Sequence, residues 1–463
     1  MMTSTDLLVP EVSARAPMTA PAPTARRSRV WRAPRPAVAI DAPPHRTPGR
    51  YVAGALTAAL IAGGALGLAR LDDGPRGDTV ASDRSPGSMF SVVDQIGARE
   101  LWDAGITGTG VNVAIIDTGI APVPALTDPG KVVAAVDFSD ERFDPALAGR
   151  DGFGHGTHLA GIIAGRDAEF LGVAPNAGIV SVKVAGRDGA VSQEQMVAAV
   201  DWVVANADAL QIDVLTVAFD SGLGTSHDTD PLAAALDRAW DAGVVVVTAA
   251  GNRGADAAGL DSPASDPRLI AVGGVEATTT GFTVPEWASS GDGVRNPDVA
   301  APGAHIRSLR APGSTADTEH PEGFVDDVRF LGSVSSQSAA VTAGAVALLL
   351  SAHPELSPDA GKQVLVASAT PVDASATIVG AGVLDIAAAA EATPGDATPE
   401  VPAASAVETR IVADPSWTGS SWTGSSWTGS SWTGSSWTGS SWTGSSWTGS
   451  SWTGSSWTGS SWT

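Results

Sequence analysis

The sequence predicts an α/β domain built on a mostly parallel sheet with helices on both faces. Between about residues 90 and 393, strand-like runs such as VNVAIID, IVSVKVA and VVVVTAAG are apolar at successive positions rather than at alternate ones. Such runs are typical of strands that are buried on both faces of a sheet. Because amphipathic segments separate them, the pattern favours strands that alternate with helices within one domain.

The clearest predicted helix follows the second of these runs, in the segment SQEQMVAAVDWVVANA. Ser192 and Gln195 have the spacing of a capping box, which marks the start of a helix. Met196, Val200 and Val203 recur at helical spacing, so this helix has one apolar face to pack on the sheet.

Composition excludes several classes of function. The chain has 463 residues, no cysteine and a net charge of −23. Without cysteine it has neither a disulfide nor a thiol nucleophile. The acidic excess opposes binding to nucleic acid, because phosphates are bound by Lys and Arg.

The N-terminal part predicts a membrane segment. Residues 1–50 are rich in Arg, Pro and Ala, which predicts a disordered, cytoplasmic stretch. Residues 51–69, YVAGALTAALIAGGALGLA, contain no charged residue, and about 20 such residues can span a bilayer as a helix. Arginines before the span favour a cytoplasmic N-terminus. We expect a membrane anchor, with a cleaved signal segment and a buried core helix as alternatives; the later domain would lie outside the cytoplasm or be secreted.

Linkers and a repeat complete the organisation. Residues 70–89 and 394–415 are polar or rich in Pro, Ala and Thr, which indicates linkers on either side of a domain at 90–393. Over 416–463 the pentapeptide SWTGS recurs and places ten tryptophans five residues apart. Since the repeat lacks large aliphatic residues, we expect a flexible, aromatic surface segment. Stacking on cell-wall glycan, self-association and a plain spacer all remain open for it.

Three motifs carry residue types suited to catalysis. Asp117 ends the run VAIID and is followed by Thr and a turn glycine. His155 lies between two glycines in DGFGHGTHLAG, where a helix should begin, and a histidine held there is accessible as a general base must be. Three serines lie in VSSQSAAVTAG before another apolar helix. A serine in that place is either a nucleophile or an N-cap whose hydroxyl accepts a hydrogen bond from a backbone amide.

The pair His155 and His158 does not predict a metal site. No glutamate adjoins the histidines and the pattern holds no third ligand, so we expect no zinc. We expect His158 to be a buried, hydrogen-bonded structural residue.

Together, in this order, these motifs resemble the subtilisin-like serine proteases. The resemblance rests on DTG, GHGTHLAG and a serine eight residues before Gly344, and also on AAGNRG, SPASDPRLIAVGGV, NPDVAAPG and GAGVLDIAAA. It implies a three-layer α/β fold and a serine endopeptidase that acts on extended polypeptides. It further implies that Asp117 orients the imidazole, His155 is the base, Ser336 is the nucleophile and Asn252 donates to the oxyanion.

The chain departs from the usual pattern beside the nucleophile. Val334 stands where the family commonly has glycine, Gln337 where it has methionine and Ala340 where it has proline. An inactive, peptide-binding pseudoprotease therefore stays as an alternative, as does a surface adhesion protein that acts through the tryptophan repeat.

The resemblance also implies a substrate site made of two segments, between which the peptide would lie as a strand. These residues are Gly189, Ala190 and Val191 in the first segment, and Ala218, Phe219 and Asp220 in the second, with Gly251 beside them. Asp220 would favour a basic substrate side chain, unless it faces solvent.

The sequence predicts no required cofactor and no separate propeptide. Calcium is a candidate ligand for the acidic stretch DFSDERFD, although the spacing of a calcium loop is missing. Only about 20 residues separate the predicted membrane segment from the domain, so we expect no folding propeptide between them.

Overall fold

The structure is a computed structural model that describes residues 84–392, apart from 168–169, 220–225, 257–258 and 279–280, and short strands within 416–458. The predicted segments 1–50, 51–69 and 394–415, and most of the predicted linker 70–89, lie outside the described residues. Within the described part, the α-helices are α1 (Met89–Gln95), α2 (Ala98–Asp103), α3 (His155–Ala164), α4 (Gln193–Leu210), α5 (Pro231–Asp241), α6 (Thr315–Glu319), α7 (Ser335–Ala352), α8 (Pro358–Ser368), α9 (Ala376–Val379) and α10 (Ile386–Glu391). The strands of the same part are β1 (Asn112–Asp117), β2 (Val132–Asp137), β3 (Gly178–Lys183), β4 (Ile212–Val217), β5 (Val245–Ala249), β6 (Ile270–Ala277), β7 (Phe282–Thr283), β8 (Val299–Pro302), β9 (Ile306–Leu309) and β10 (Arg329–Gly332).

The main sheet is mostly parallel, as the sequence predicted. Its strands follow the order β2-β3-β1-β4-β5-β6-β7, and β8 also pairs with β6. Every pair is parallel except β6 with β7. All six residues of β3 are buried, which explains why its sequence is apolar at successive positions. Since β1 lies between β3 and β4, the sheet grows in opposite directions from β1, and such a switch point leaves a crevice at the carboxyl ends of the strands.

Helices cover this sheet in two layers. Helices α3 and α7 pack against each other, and α7 crosses β4, β5, β6 and β8, while α4 and α5 form a second pair that packs on β1, β4 and β5. The capping box predicted for α4 is present, since the Ser192 side chain accepts from the Gln195 amide and the Gln195 side chain accepts from the Ser192 amide. The three-layer α/β fold is confirmed.

Helix α7 is the centre of the core. Among the described residues it is the helix that is long and apolar enough to cross a membrane, but 89% of it is buried inside the domain. Its length and apolar character therefore reflect packing on the sheet.

The start of the domain lies earlier than the sequence indicated. Helix α1 begins at Met89, which is buried, and the Ser88 side chain caps it by accepting from the Ser91 amide at 3.2 Å. Residues 84–89 were expected in the linker 70–89, but a serine cap and an apolar first turn attach this end of it to the domain.

Short strands with parallel backbone pairing are described within the repeat region. Short strands pair in parallel between residues twenty apart, which is four repeats: Trp417 with Trp437, Trp437 with Trp457, Trp422 with Trp442, and Trp432 with Trp452. The strands described here are only two or three residues long, and the flexible character of the repeat stays a prediction.

Candidate active site

Asp117 lies at the carboxyl end of β1, at the switch point of the sheet. Its side chain is buried, and Oδ1 accepts from the Thr118 amide at 2.8 Å. Both carboxylate oxygens lie 2.9 Å from Nδ1 of His155. This carboxylate therefore fixes the imidazole ring and leaves Nε2 as its other polar atom.

His155 is the first residue of α3, and the glycines on either side explain its position. Gly154 has a φ of 108°, a conformation that favours glycine. At Gly156 a Cβ atom would lie 2.2 Å from the Gly119 carbonyl oxygen. The helix start thus contacts the turn after Asp117 directly, and the Gly-His-Gly sequence permits this close approach.

A second carboxylate, which the sequence analysis missed, organises the same region. Asp151 is 7% exposed and accepts from the Gly154 amide at 2.6 Å and the Thr157 amide at 2.8 Å. Its Oδ1 also lies 2.8 Å from the hydroxyl of Thr118, which in turn accepts from the Gly156 amide at 2.9 Å. The available signal was an aspartate four residues before His155, close to the first turn of α3.

These two carboxylates determine the basicity of His155. Burial disfavours the charged imidazolium, but the negative charge and hydrogen bond of Asp117 and the charge of Asp151 outweigh it, so the pKa of His155 is raised above 6.5. A base with a raised pKa accepts a proton more readily, and the side chain is 22% exposed to the surface.

Ser336 is the second residue of α7 and not its N-cap. The helix begins at Ser335 and its N-cap is Val334, so the capping interpretation does not apply to Ser336. Gln337 compensates for the apolar cap, because its Oε1 accepts from the Val334 amide at 3.0 Å. The Ser336 amide belongs to the first turn, where amides have no acceptor inside the helix.

The other two serines of the motif differ in their surroundings. Ser338 is fully buried, and its Oγ lies so close to Gly303 that a Cβ there would be 2.0 Å away. Ser335 is 1% exposed, and its amide donates to Oδ1 of Asn252 at 2.8 Å. This bond attaches the Asn252 side chain to the start of α7 and leaves Nδ2 as its donor.

The first turns of α3 and α7 meet at Gly332. A Cβ at this glycine would lie 2.5 Å from Nε2 of Gln337 and 2.8 Å from Cε1 of His158. The structure thus brings the histidine and serine motifs to one place, although among the described residues no hydrogen bond joins His155 to Ser336. Such bonds are often long before substrate binds.

His158 matches its predicted structural role. It is 4% exposed, and Nε2 lies 3.1 Å from the carbonyl oxygen of Phe330 in β10. Burial and the neighbouring His155 lower the pKa of His158 to about 4. Within the described residues no three His, Asp or Glu side chains are grouped to hold a metal ion.

Comparison with known proteins identifies the domain. The sequence description of the subtilase family matches residues 108–382. The chain belongs to the subtilase family. It is 35% identical over 277 residues to the serine protease AprX of Bacillus subtilis, which covers 56% of this chain and 61% of AprX. It is 31% identical to subtilisin DY of Bacillus licheniformis over 64% of this chain and 96% of that protein.

A solved structure gives the same result for the fold. Fervidolysin from Fervidobacterium pennivorans, described as a keratinolytic enzyme related to subtilisin, matches with a TM-score of 0.54 and 26% identity. The match covers 66% of this chain and 46% of fervidolysin. The subtilase therefore spans under two thirds of AprX and under half of fervidolysin.

The first predicted substrate segment of this subtilase lies beside the histidine loop. Gly189 has a φ of 73°, and a Cβ on it would lie 3.0 Å from the Phe153 ring. Ala190 is exposed and Val191 is half-buried. The segment is thus accessible on one side and packed on the other.

The second predicted segment is only partly described. Ala218 and Phe219 follow β4 and are half-buried, whereas Asp220 lies outside the described residues. Gly251 precedes Asn252 with a φ of 107°, and a Cβ on it would lie 3.0 Å from Ser289 Oγ.

The acidic stretch proposed for calcium directs its carboxylates to protein partners. Asp137 accepts from the amides of Ser139 and Gly149, both at 2.8 Å. Glu141 lies 3.0 Å from the buried ammonium of Lys183. These two carboxylates are engaged by this subtilase's own donors.

Proposed function

We propose that this subtilase is a serine endopeptidase that cleaves extended polypeptides, with Ser336 as nucleophile and His155 as general base. The observation that carries the proposal is the buried Asp117 carboxylate with both oxygens 2.9 Å from Nδ1 of His155. A serine hydroxyl attacks a carbonyl only when a base removes its proton, and an imidazole oriented by a carboxylate is such a base.

In the proposed reaction, Ser336 Oγ bonds to the substrate carbonyl carbon while its proton passes to Nε2 of His155. The imidazolium then gives this proton to the leaving amine as the peptide bond breaks. Asp117 stabilises the imidazolium through Nδ1–H without taking the proton. In the second half-reaction, His155 takes a proton from water, and the water oxygen attacks the carbonyl carbon of the acyl-enzyme. The bond from this carbon to Ser336 Oγ then breaks, and Oγ takes the proton back from His155.

Two donors are suited to the negative oxygen of the intermediate. Asn252 keeps Nδ2 available because its Oδ1 accepts from Ser335, and the first-turn amide of Ser336 lies at the positive end of α7. Asn252 lies three residues after β5 and is bonded to the first turn of α7, so these donors need little rearrangement when the charge forms.

The proposed substrate class rests on the two predicted substrate segments. We propose that an extended peptide adds as a strand between residues 189–191 and 218–220, with Gly251 bordering the first pocket and Asp220 favouring a basic side chain. We further propose that no cofactor takes part in catalysis.

For location, we propose an exported domain, either anchored through residues 51–69 or secreted. The absence of charged residues from 51–69 supports export. A relative, Epr of Bacillus subtilis, is named a minor extracellular protease and is 31% identical over 47% of this chain. Binding of the tryptophan repeat to cell-wall glycan is a separate proposal that does not depend on catalysis.

A fluorophosphonate probe tests the function, since it reacts with an activated serine. We expect one adduct, mapped by mass spectrometry to Ser336, and cleavage of casein by the same preparation. The His155→Ala variant is the matched control and should take no label. A chain that binds peptides but takes no label would be the inactive pseudoprotease.

A further inference from the structure

The first substrate segment, residues 189–191, and the residues that lead into it from β3 form no strand in the described part of the chain. The backbone of Arg187 is instead held at both its amide and its carbonyl by side chains. Its amide donates to Oε1 of Glu141 at 2.9 Å, and its carbonyl accepts from the Thr315 hydroxyl at 2.6 Å.

Glu141 is held in turn by Lys183, the last residue of β3. Its Oε2 lies 3.0 Å from the Lys183 ammonium, and a Cβ on Gly186 would lie 3.1 Å from its Cδ. The glutamate side chain therefore lies against Gly186, between the buried ammonium and the Arg187 amide.

Lys183 connects this contact to the catalytic strand. Its side chain is fully buried, and Nζ donates to the carbonyls of Thr118 at 2.9 Å and Ala185 at 2.8 Å. Thr118 directly follows Asp117, which is the register partner of Lys183 in the sheet. One ammonium thus joins the end of β1 to the start of the substrate segment.

We infer that Glu141 and Lys183 are a positioning pair that sets the substrate segment relative to the end of the Asp117 strand. The inference rests on the proposed function and adds two residues with no part in the chemistry. A buried ammonium requires a nearby counter-charge, so Lys183 keeps Glu141 in place and Glu141 keeps the Arg187 amide in place.

The pair should affect long substrates more than short ones. A peptide that adds as a strand depends on the position of residues 189–191, whereas a small ester reacts with Ser336 without reaching them. Glu141→Gln keeps the size of the side chain but removes its charge. We expect KM for a tetrapeptide nitroanilide to rise roughly tenfold, as expected for loss of a charge-assisted hydrogen bond, with kcat little changed.

The test compares variants of the full chain on a tetrapeptide nitroanilide and a single-residue nitrophenyl ester. Asp140→Asn is the matched control, because Asp140 adjoins Glu141 but its side chain is 97% exposed. Thr315→Val removes the second contact to Arg187 and should also raise KM for the tetrapeptide alone. In all variants, fluorophosphonate labelling of Ser336 and ester hydrolysis should equal the wild type.

The outcomes separate this inference from the proposed function. If the wild-type chain takes no label, both fail. If labelling is normal but Glu141→Gln has the KM of Asp140→Asn on the tetrapeptide, only the positioning role fails. If Glu141→Gln is damaged on both substrates, Thr315→Val decides: a rise in KM confined to the tetrapeptide supports the role, and no rise overturns it.

Discussion

At the scale of single residues, the charge of Asp151 should influence how the activity depends on pH. Its charge helps to raise the pKa of His155, and only the neutral imidazole can accept the serine proton. Activity should therefore rise as pH increases through that raised pKa. Asp151→Asn removes the charge, so the acid limb of kcat/KM should move to lower pH.

A pH–rate profile of Asp151→Asn, measured beside the exposed Asp144→Asn as control, checks this shift. If the variant loses activity at every pH but the acid limb of its kcat/KM profile stays at the same pH, Asp151 only shapes the loop. A change in the opposite direction would contradict the electrostatic account.

Ser336 should be the serine on which turnover depends. We expect Ser336→Ala to lower kcat by about 10⁶, the factor known for the catalytic residues of subtilisin, because the triad acts as a unit. Ser338→Ala should keep most activity, since the Ser338 hydroxyl lies against Gly303. Ser335→Ala should also keep it, because the bond to Asn252 uses the backbone amide.

Kinetics and thermal unfolding of the three serine variants check these expectations. Because Val334 is the N-cap, the stability of Ser336→Ala should differ little from that of the wild type, whereas removal of a true serine cap costs about 1 kcal/mol. Full activity in Ser336→Ala would overturn the assignment.

At the scale of elements, the strands could be predicted from the sequence, but the side-chain contacts between distant parts of the chain could not. Buried valine runs identify β3 and β5, and capping residues identify the start of α4, because these signals lie within about ten residues. Asp117, His155 and the serine motif could be located for the same reason. The contacts of Asp151 with Thr118 and of Glu141 with Lys183 join residues more than 30 positions apart, and no local pattern encodes them.

The stability of the fold at acid pH should depend on His158 of α3, which contacts Phe330 of β10. The pKa of buried His158 is about 4, below the 6.5 of an unfolded chain, so the unfolded state binds the proton first. Stability present above pH 6.5 is therefore lost as pH falls through the interval from about 6.5 to about 4. Between pH 7 and pH 5 this residue should cost about 2 kcal/mol of unfolding free energy.

Denaturant unfolding of wild type and His158→Gln at pH 7 and pH 5 checks the estimate. Glutamine keeps an N–H donor for the Phe330 carbonyl but does not titrate, so the variant should lose less stability on acidification. Equal losses in the two proteins would assign acid sensitivity to other groups.

At the scale of the whole molecule, the catalytic domain should be independent of the repeat. One core cluster runs from Met89 in α1 to Ala389 in α10, so residues 84–392 contain the elements that bury one another. We expect this fragment to fold without an added propeptide and to match the kcat/KM of the full chain. Circular dichroism and peptide hydrolysis check this, and a requirement for a separate folding segment would contradict it.

The predicted membrane segment implies a defined orientation of the whole chain. Residues 51–69 carry no charge and follow an arginine-rich stretch, which should keep residues 1–50 in the cytoplasm and the catalytic domain outside. Protease added to intact cells should then release the domain and leave an N-terminal tag protected, whereas lysed cells should lose both. Replacing the arginines of residues 1–50 by glutamine should weaken this orientation, while the same change at Arg307 in the domain should not. A soluble mature protein that begins near residue 70 would instead identify residues 51–69 as a cleaved signal.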